Sequence, residues 1–141
     1  MSVLISSERF GDVAVDETST LTLPHGLLGF EDETSFAIVP VDDDGTYSWL
    51  QSAKDPSLAF LATSPHFFFP DYAPEVNDNE VAELGLLSPS ETLLLCLVTI
   101  DGDDITANLL GPIVVNTRTR HGRQVVLSEM QWSTRVPLNG G

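Results

Sequence analysis

Apolar residues recur at every second position along much of the chain. Val3/Ile5, Val13/Val15, Leu21/Leu23, Phe36/Ile38, Leu58/Phe60 and Val125/Leu127 each put two apolar side chains on one face of a short segment, the period of a strand with one buried face. Turn-forming groups separate them: Arg9-Phe10-Gly11-Asp12, Asp44-Gly45, Lys54-Asp55-Pro56-Ser57, Asp101-Gly102 and His121-Gly122. Gly supplies positive φ in such turns and Pro presets the first turn residue, and Asp-Gly between apolar runs predicts a hairpin. Strands in close succession joined by tight turns favour an antiparallel sheet, and a small sheet protects its edges best by closing or folding over. The expected fold is all-β: one small antiparallel barrel-like domain over residues 1–141.

Two stretches depart from period two. Asn77-Asp78-Asn79-Glu80 leads into Val81-Ala82-Glu83-Leu84, and Gly85 stands where a helix C-terminus wants glycine, so a capped helix of about two turns is predicted. Ser88-Pro89-Ser90-Glu91 is a second start signal, with Ser at N-cap, Pro at N1 and Glu at N3. One or two short helices are therefore expected near residues 78–91. The run Leu93 to Ile100 follows at once and reads as a central strand buried on both faces. No repeat, low-complexity tract or linker divides the chain.

Composition narrows the function. The chain has 141 residues, 42% hydrophobic, with 21 Asp and Glu against six Lys and Arg, a formal net charge of −15. A mean hydropathy of +0.07 is too high for a charge-expanded disordered polymer. A nucleic-acid binder displaces counterions with its own cations, and one Lys and five Arg argue against direct DNA or RNA binding. Residues 1–104 hold 20 of the acids with only Arg9 and Lys54, a balance of −18; residues 105–141 hold Arg118, Arg120, Arg123 and Arg135 against Glu129, a balance of +3. Such a body is steered towards basic partners. The N-terminus lacks a signal-peptide pattern, no stretch reaches the roughly 18 apolar residues of a membrane helix, and Cys96 is the only cysteine. The expected compartment is the cytoplasm.

Reactive chemistry finds no motif: no G-x-S-x-G, HExxH, Walker loop, G-x-G-x-x-G or paired cysteines. Cys96 with His25, His66 or His121 is a formal nucleophile pair, but its neighbours Leu93, Leu94, Leu95, Leu97 and Val98 make it a core residue rather than an activated thiol. Asp42-Asp43-Asp44-Gly45 and Asp101-Gly102-Asp103-Asp104 hold the carboxylates a hard cation wants, yet neither has EF-hand spacing, and both read as solvated turns. No metal or cofactor is expected.

Two segments are more unusual. In Pro65-His66-Phe67-Phe68-Phe69-Pro70-Asp71-Tyr72, consecutive Phe on an extended segment alternate, so either Phe68 or its two neighbours face outward while the rest plug one end of the barrel. In Thr106-Ala107-Asn108-Leu109-Leu110-Gly111-Pro112-Ile113-Val114-Val115-Asn116, two Asn flank a strand-like apolar run that Gly-Pro interrupts. There the Asn side chains can satisfy backbone groups at bends.

Five blocks in order, Pro24-His25-Gly26-Leu27-Leu28-Gly29-Phe30-Glu31, Tyr47-Ser48-Trp49-Leu50-Gln51-Ser52, Asp55-Pro56-Ser57-Leu58-Ala59-Phe60, Phe69-Pro70-Asp71-Tyr72 and residues 106–116, resemble the flagellar assembly factor FliW family. The resemblance runs from about residue 3 to Leu138. Gly111 stands where that family usually has Ala, and Val136 where His is expected in the closing S-T-R-x-P-L segment. The resemblance implies a bacterial cytoplasmic protein, monomeric and without catalytic activity. Its implied partners are flagellin before export and CsrA, a small RNA-binding translational regulator that represses flagellin mRNA. The implied mechanism is partner exchange; the partner-binding candidates are Phe30, Glu31, Phe68, Phe69, Asp71, Tyr72, Asn108 and Asn116, and the segment from Phe67 to Tyr72 is the candidate apolar surface for the amphipathic helices of flagellin. Two other readings stand beside it: a small barrel that binds a ligand or acts as a hydrolase, and a charge that reflects adaptation to a salty cytoplasm.

Overall fold

The computed structural model describes residues 2–7, 11–16, 19–41, 46–74, 76, 78–86, 89–127 and 132–138. The strands are β1 (Ser2–Ser7), β2 (Gly11–Asp16), β3 (Thr20–Thr22), β4 (Ser35–Pro40), β5 (Tyr47–Ser52), β6 (Ala59–Thr63), β7 (Thr92–Asp101), β8 (Asp104–Ala107), β9 (Ile113–Asn116), β10 (His121–Gln124) and β11 (Val136–Pro137). One short helix, α1 (Asp78–Leu84), lies between β6 and β7, and single 3₁₀ turns occupy Pro65–Phe67 and Pro89–Glu91.

β3 to β7 form an antiparallel meander. The first half of β7 pairs with β9, β9 pairs with β10, and β10 meets β3 in parallel at His121 and Thr22. Seven strands thereby close into a barrel, the all-β architecture that the alternation predicts. The second half of β7 leaves the ring to pair with β8, and β8 carries β11 on its outer edge. The β1–β2 hairpin is a separate sheet, and the Ser7 hydroxyl ties it to the barrel by donating to Gln51 Oε1 at 2.8 Å.

Alternation on β7 and β9 divides the core in two. Leu95, Ile113 and Val115 join Leu21, Leu23, Phe36, Leu50 and Ala62 inside the barrel. Cys96, Val98 and Val114 point the other way, into a second cluster covered by Tyr72, Leu84, Leu109, Leu127 and Leu138. β7 is thus apolar on both faces as far as Val98, while Thr99 and Ile100 at its protruding end are exposed. This end no longer lies in the barrel wall.

Some local expectations fall differently. His121-Gly122 is not a turn but strand, paired with Val115 and Asn116. A Cβ on Gly122 would stand 2.9 Å from the Val114 carbonyl oxygen, so this glycine permits a close strand approach. The reversal lies just before it and uses Arg120 at φ 62°. Val125 and Leu127 are buried beyond the end of β10, their amides donating to Pro112 and Leu110. The Asp44-Gly45 turn, Arg9-Phe10, Asn77 and Ser88 lie outside the described residues, as does the Asp42 to Gly45 acidic turn.

Candidate protein-binding surfaces

The Pro24–Glu33 loop is a compact double turn. Gly26 donates to Leu23, Leu27 and Phe30 exchange amide hydrogen bonds, and Glu33 donates to Phe30. Both Gly26 (φ 66°) and Gly29 (φ 85°) need positive φ. The turn buries Leu27 and presents Leu28, which is 63% exposed. The Leu28 amide donates to Gln124 Oε1 at 2.9 Å, and Gln124 in turn donates to the Gly111 carbonyl at 3.0 Å. Phe30 lays its ring edge-on to Phe60 at 5.0 Å and keeps one face in solvent, with Glu31 exposed beside it. Beneath the loop, buried Glu33 accepts the Ser52 hydroxyl, and Ser52 accepts the amides of Lys54 and Asp55.

The Phe triplet is arranged by its proline. Pro65 starts a 3₁₀ turn, with Phe68 and Phe69 both donating to its carbonyl. At three residues per turn, consecutive side chains diverge by about 120° instead of alternating. Phe67 is 58% exposed, Phe68 packs near Tyr47 and Phe69 near Trp132. Tyr72 is 2% exposed, its hydroxyl donating to the Leu109 carbonyl at 2.7 Å and its ring edge-on to Trp132 at 4.7 Å. The expectation of an extended, alternating triplet is therefore corrected, and the outward aromatic is Phe67. It stands at the lip of an apolar pocket of about 310 Å³ at one end of the barrel, with Ile38, Ala62, Thr63, Leu93 and Leu95 among its walls. Asp71 is exposed nearby in sequence.

Asn108 and Asn116 bond to backbone groups. Asn108 Oδ1 accepts the amides of Leu110 and Gly111, which turns the chain ahead of Pro112. Asn116 is fully buried: Nδ2 donates to the Leu84 carbonyl at 2.8 Å, and Oδ1 accepts the amides of Arg118 and Thr119. It joins α1 to the barrel. Among the sequence-selected candidates, Phe30, Glu31 and Asp71 thus reach the surface, Phe68 and Phe69 only in part, and Tyr72 and Asn116 hold the core together. Phe67, at the head of the candidate flagellin segment, is exposed, and so are Leu28 and Val126, which were not among the candidates. The signal at Leu28 and Val126 is faint, since each neighbours apolar residues that are buried.

The charge asymmetry along the sequence is folded away. Arg123 Nη1 meets Glu83 at 2.5 Å, Arg118 meets Glu91 at 3.6 Å and Arg135 meets Asp101 at 3.8 Å. The C-terminal arginines thus return to the acidic body instead of forming a basic pole. Glu83 also accepts His25 Nε2 at 2.5 Å, and these hydrogen bonds from His25 and then Arg123 hold its carboxyl below the usual carboxylate value. Burial pushes the Cys96 thiol up to about 12, which keeps it protonated and unreactive at neutral pH. Among the described residues, no group of three or more His, Cys, Asp or Glu gathers as a metal site, and no helix is long and apolar enough to cross a membrane.

Fold and surface define a small closed β-barrel that displays single apolar side chains on hydrogen-bonded turns. Comparison with known proteins places it more narrowly. The family model described as "FliW protein" matches residues 4–138. The "Flagellar assembly factor FliW" of Leptospira biflexa is 36% identical over 138 residues, covering 96% of this chain and 90% of the relative. That of Moorella thermoacetica is 36% identical over 137 residues, covering 95% and 87%. A solved structure, "Crystal structure of the flagellar assembly factor FliW", superposes with a TM-score of 0.86 at 31% identity over 96% of each chain. The chain belongs to the FliW family.

Proposed function

We propose that this protein is a flagellar assembly factor that acts without catalysis, by holding flagellin and the translational regulator CsrA in turn in the cytoplasm. The observation that carries this reading is the family match across residues 4–138, together with relatives whose shared name is flagellar assembly factor. Supporting its non-enzymatic part, the single thiol is buried and protonated.

The two partners need different surfaces. The ends of unassembled flagellin are amphipathic helices, so their capture needs an apolar receptor; Phe67 and the pocket beside it suit that need, with Phe68 and Asp71 adjoining in sequence. CsrA carries a basic RNA-binding surface, and a body of net charge −15 docked against it raises the electrostatic cost of bringing RNA phosphates near. Phe30 and Glu31 are candidates for that contact. Exchange then follows mass action: a partner present at about 100 times its Kd leaves roughly 1% of the factor for a competitor. Secretion of flagellin frees the factor for CsrA and relieves repression of flagellin translation.

The test is to recover the tagged protein from its own cells, with and without flagellin, and identify what accompanies it. Flagellin should dominate in the first case and CsrA in the second. Recovery of neither under both conditions overturns the reading.

A further inference from the structure

β6 and β7 are paired only at Ala62↔Leu97 and Thr63↔Cys96. Beyond that point β7 follows β8, Val98 to Asp101 opposite Ala107 to Asp104, while β6 stays with β5 as far as Ala59 opposite Gln51. Backbone groups in an antiparallel ladder turn to the two neighbouring strands alternately. The Leu97 carbonyl accepts the Asn108 amide on the β8 side, so Val98 and Ile100 turn their backbone groups the other way, towards β6. Just ahead of β6, the Leu58 carbonyl accepts the Ser52 amide on the β5 side, so Ala59 and Leu61 face the same fork from its other bank. Among the described residues no strand lies between these two edges, and Ile100 is 59% exposed.

The two edges of the small β7–β8–β11 sheet differ. β11 ends its far side with Pro137, which has no N–H to offer, next to exposed Arg135. Proline and charge are devices that keep a strand edge from pairing with another chain. At the fork, Ile100 is β-branched, uncharged and keeps its amide. Such an edge selects an extended chain over a helix, because only a strand brings its own N–H and C=O groups at the spacing of a ladder. Charge narrows the occupant further. Exposed Asp101, Asp103 and Asp104 surround Gly102 at the hairpin tip that continues this edge, and Asp101 meets Arg135 at only 3.8 Å with both side chains in solvent, a weak pair. A second copy would bring the same acids and another net charge of −15 against them, whereas Lys or Arg beside the tip is attracted.

We propose that the fork between β6 and β7 takes up an extended cationic segment of a partner protein as an added strand on β7, with a β-branched residue beside Ile100 and Lys or Arg beside Asp101 and Asp104. Recognition runs through main-chain hydrogen bonds and cross-strand side-chain pairs. The fork uses different residues from the Phe67 pocket, and the proposal goes beyond the exchange reading without resting on it.

The test titrates the ¹⁵N-labelled full chain with a short synthetic peptide of alternating Val and Thr with Lys at both ends. Controls are the same peptide methylated on its backbone nitrogens, one with Glu in place of Lys, and a Leu–Lys amphipathic helix of equal charge. Saturable shifts should centre on Ala59 to Leu61 and Val98 to Ile100. The Ile100 amide should exchange freely in the free chain and about tenfold or more slowly when peptide is bound. Ile100→Pro removes that amide from the fork without removing a bond to β8, and Ile100→Lys puts a cation on the edge; each should weaken binding about fivefold or more. Asp101→Asn should weaken it less and flatten its dependence on salt. Where Ile100→Pro lowers the melting temperature, Ile100→Lys decides. Equal binding of the methylated, acidic or helical peptide, shifts centred elsewhere, an Ile100 amide already protected in the free chain, or unchanged affinity in Ile100→Lys overturns the proposal. Protection of Ile100 that rises with protein concentration alone would assign the edge to a second copy and overturn it as well. Loss of flagellin or CsrA in pull-downs with these peptide results intact would fault the exchange reading alone.

Discussion

Gly26 and Gly29 share one turn and both sit at positive φ, yet their replacement should cost unequal amounts. A Cβ on Gly29 meets nothing within 4 Å, so Gly29→Ala bears only the left-handed backbone penalty of about 1–2 kcal/mol. A Cβ on Gly26 would overlap the Phe30 carbonyl and stand 2.6 Å from the Glu31 Cα. Backbone cannot swing aside as a flexible side chain does, so Gly26→Ala should cost about 1–3 kcal/mol more. Urea denaturation of the two variants checks this, and equal losses would mean that the turn is looser than its hydrogen bonds imply. Asn116 makes a second residue-scale case. Its side chain gives Leu84 a donor and takes the amides of Arg118 and Thr119 in a buried site. Asn116→Ala leaves those groups unpaired and should lower stability by about 2–4 kcal/mol, with the affinity of the folded fraction for either partner unchanged. A variant of wild-type stability with impaired binding would return Asn116 to the contact surface.

Seven residues are too few for a helix to persist alone, so α1 depends on what fastens it. Its C-terminus closes through Gly85 donating to Ala82 and Leu86 donating to Val81, with Gly85 at φ 66°, the paired bonds of a Schellman end. Leu84 is buried, Asn116 reaches the last turn's carbonyl, and Glu83 joins α1 to His25 and Arg123. The Glu83 carboxyl is lowered from its usual value of 4.5 in the folded state. Its contribution is therefore present above that value and is lost as pH falls through the lower native one. Glu83→Gln should be less stable than the parent at neutral pH, and the difference should shrink below about pH 4.5. Melting curves from pH 3 to 7 check it; a pH-independent gap would mean that packing, not ionisation, fastens the helix.

How much of this was legible depended on whether a feature was local. Period-two alternation found β3 and β4, and Gly85 marked the end of α1, because backbone period and a missing Cβ are properties of neighbouring residues. β10 is hidden: Gly122 looks like a turn glycine in sequence, and the approach of Val114 across the β9–β10 hairpin and of Leu23 from a distant part of the chain makes it a strand residue. The reversal itself uses Arg120, which carries no turn signature. The aromatic triplet departs from alternation for a local reason: Pro65, two residues ahead of Phe67, starts a 3₁₀ turn that rotates successive side chains by about 120°. At the candidate sites, Asn108 was readable as a bend residue. The burial of Tyr72 was not, because its hydroxyl partner Leu109 lies 37 residues away.

On the scale of the whole molecule, a net charge of −15 is tempered by arginine pairs that are exposed and individually worth little. Pairing leaves the surface predominantly acidic, and that excess should separate the two proposed partners, CsrA and flagellin, by their response to salt. Charge-driven docking reaches across roughly a Debye length, about 10 Å at 0.1 M salt and 3 Å at 1 M. Apolar capture does not weaken with ionic strength in this way. CsrA affinity should therefore fall steadily between 0.05 and 0.5 M NaCl, on the order of tenfold, whereas flagellin affinity should hold or rise. Titration calorimetry with each purified partner across that range measures both. The stability of the free protein over the same series separates use from habitat. A midpoint that changes modestly and only at low salt fits a charge kept for binding. If instead it climbs steeply through molar salt while CsrA affinity stays flat, the acidic surface is an adaptation to the cell's salt and the electrostatic part of the exchange falls.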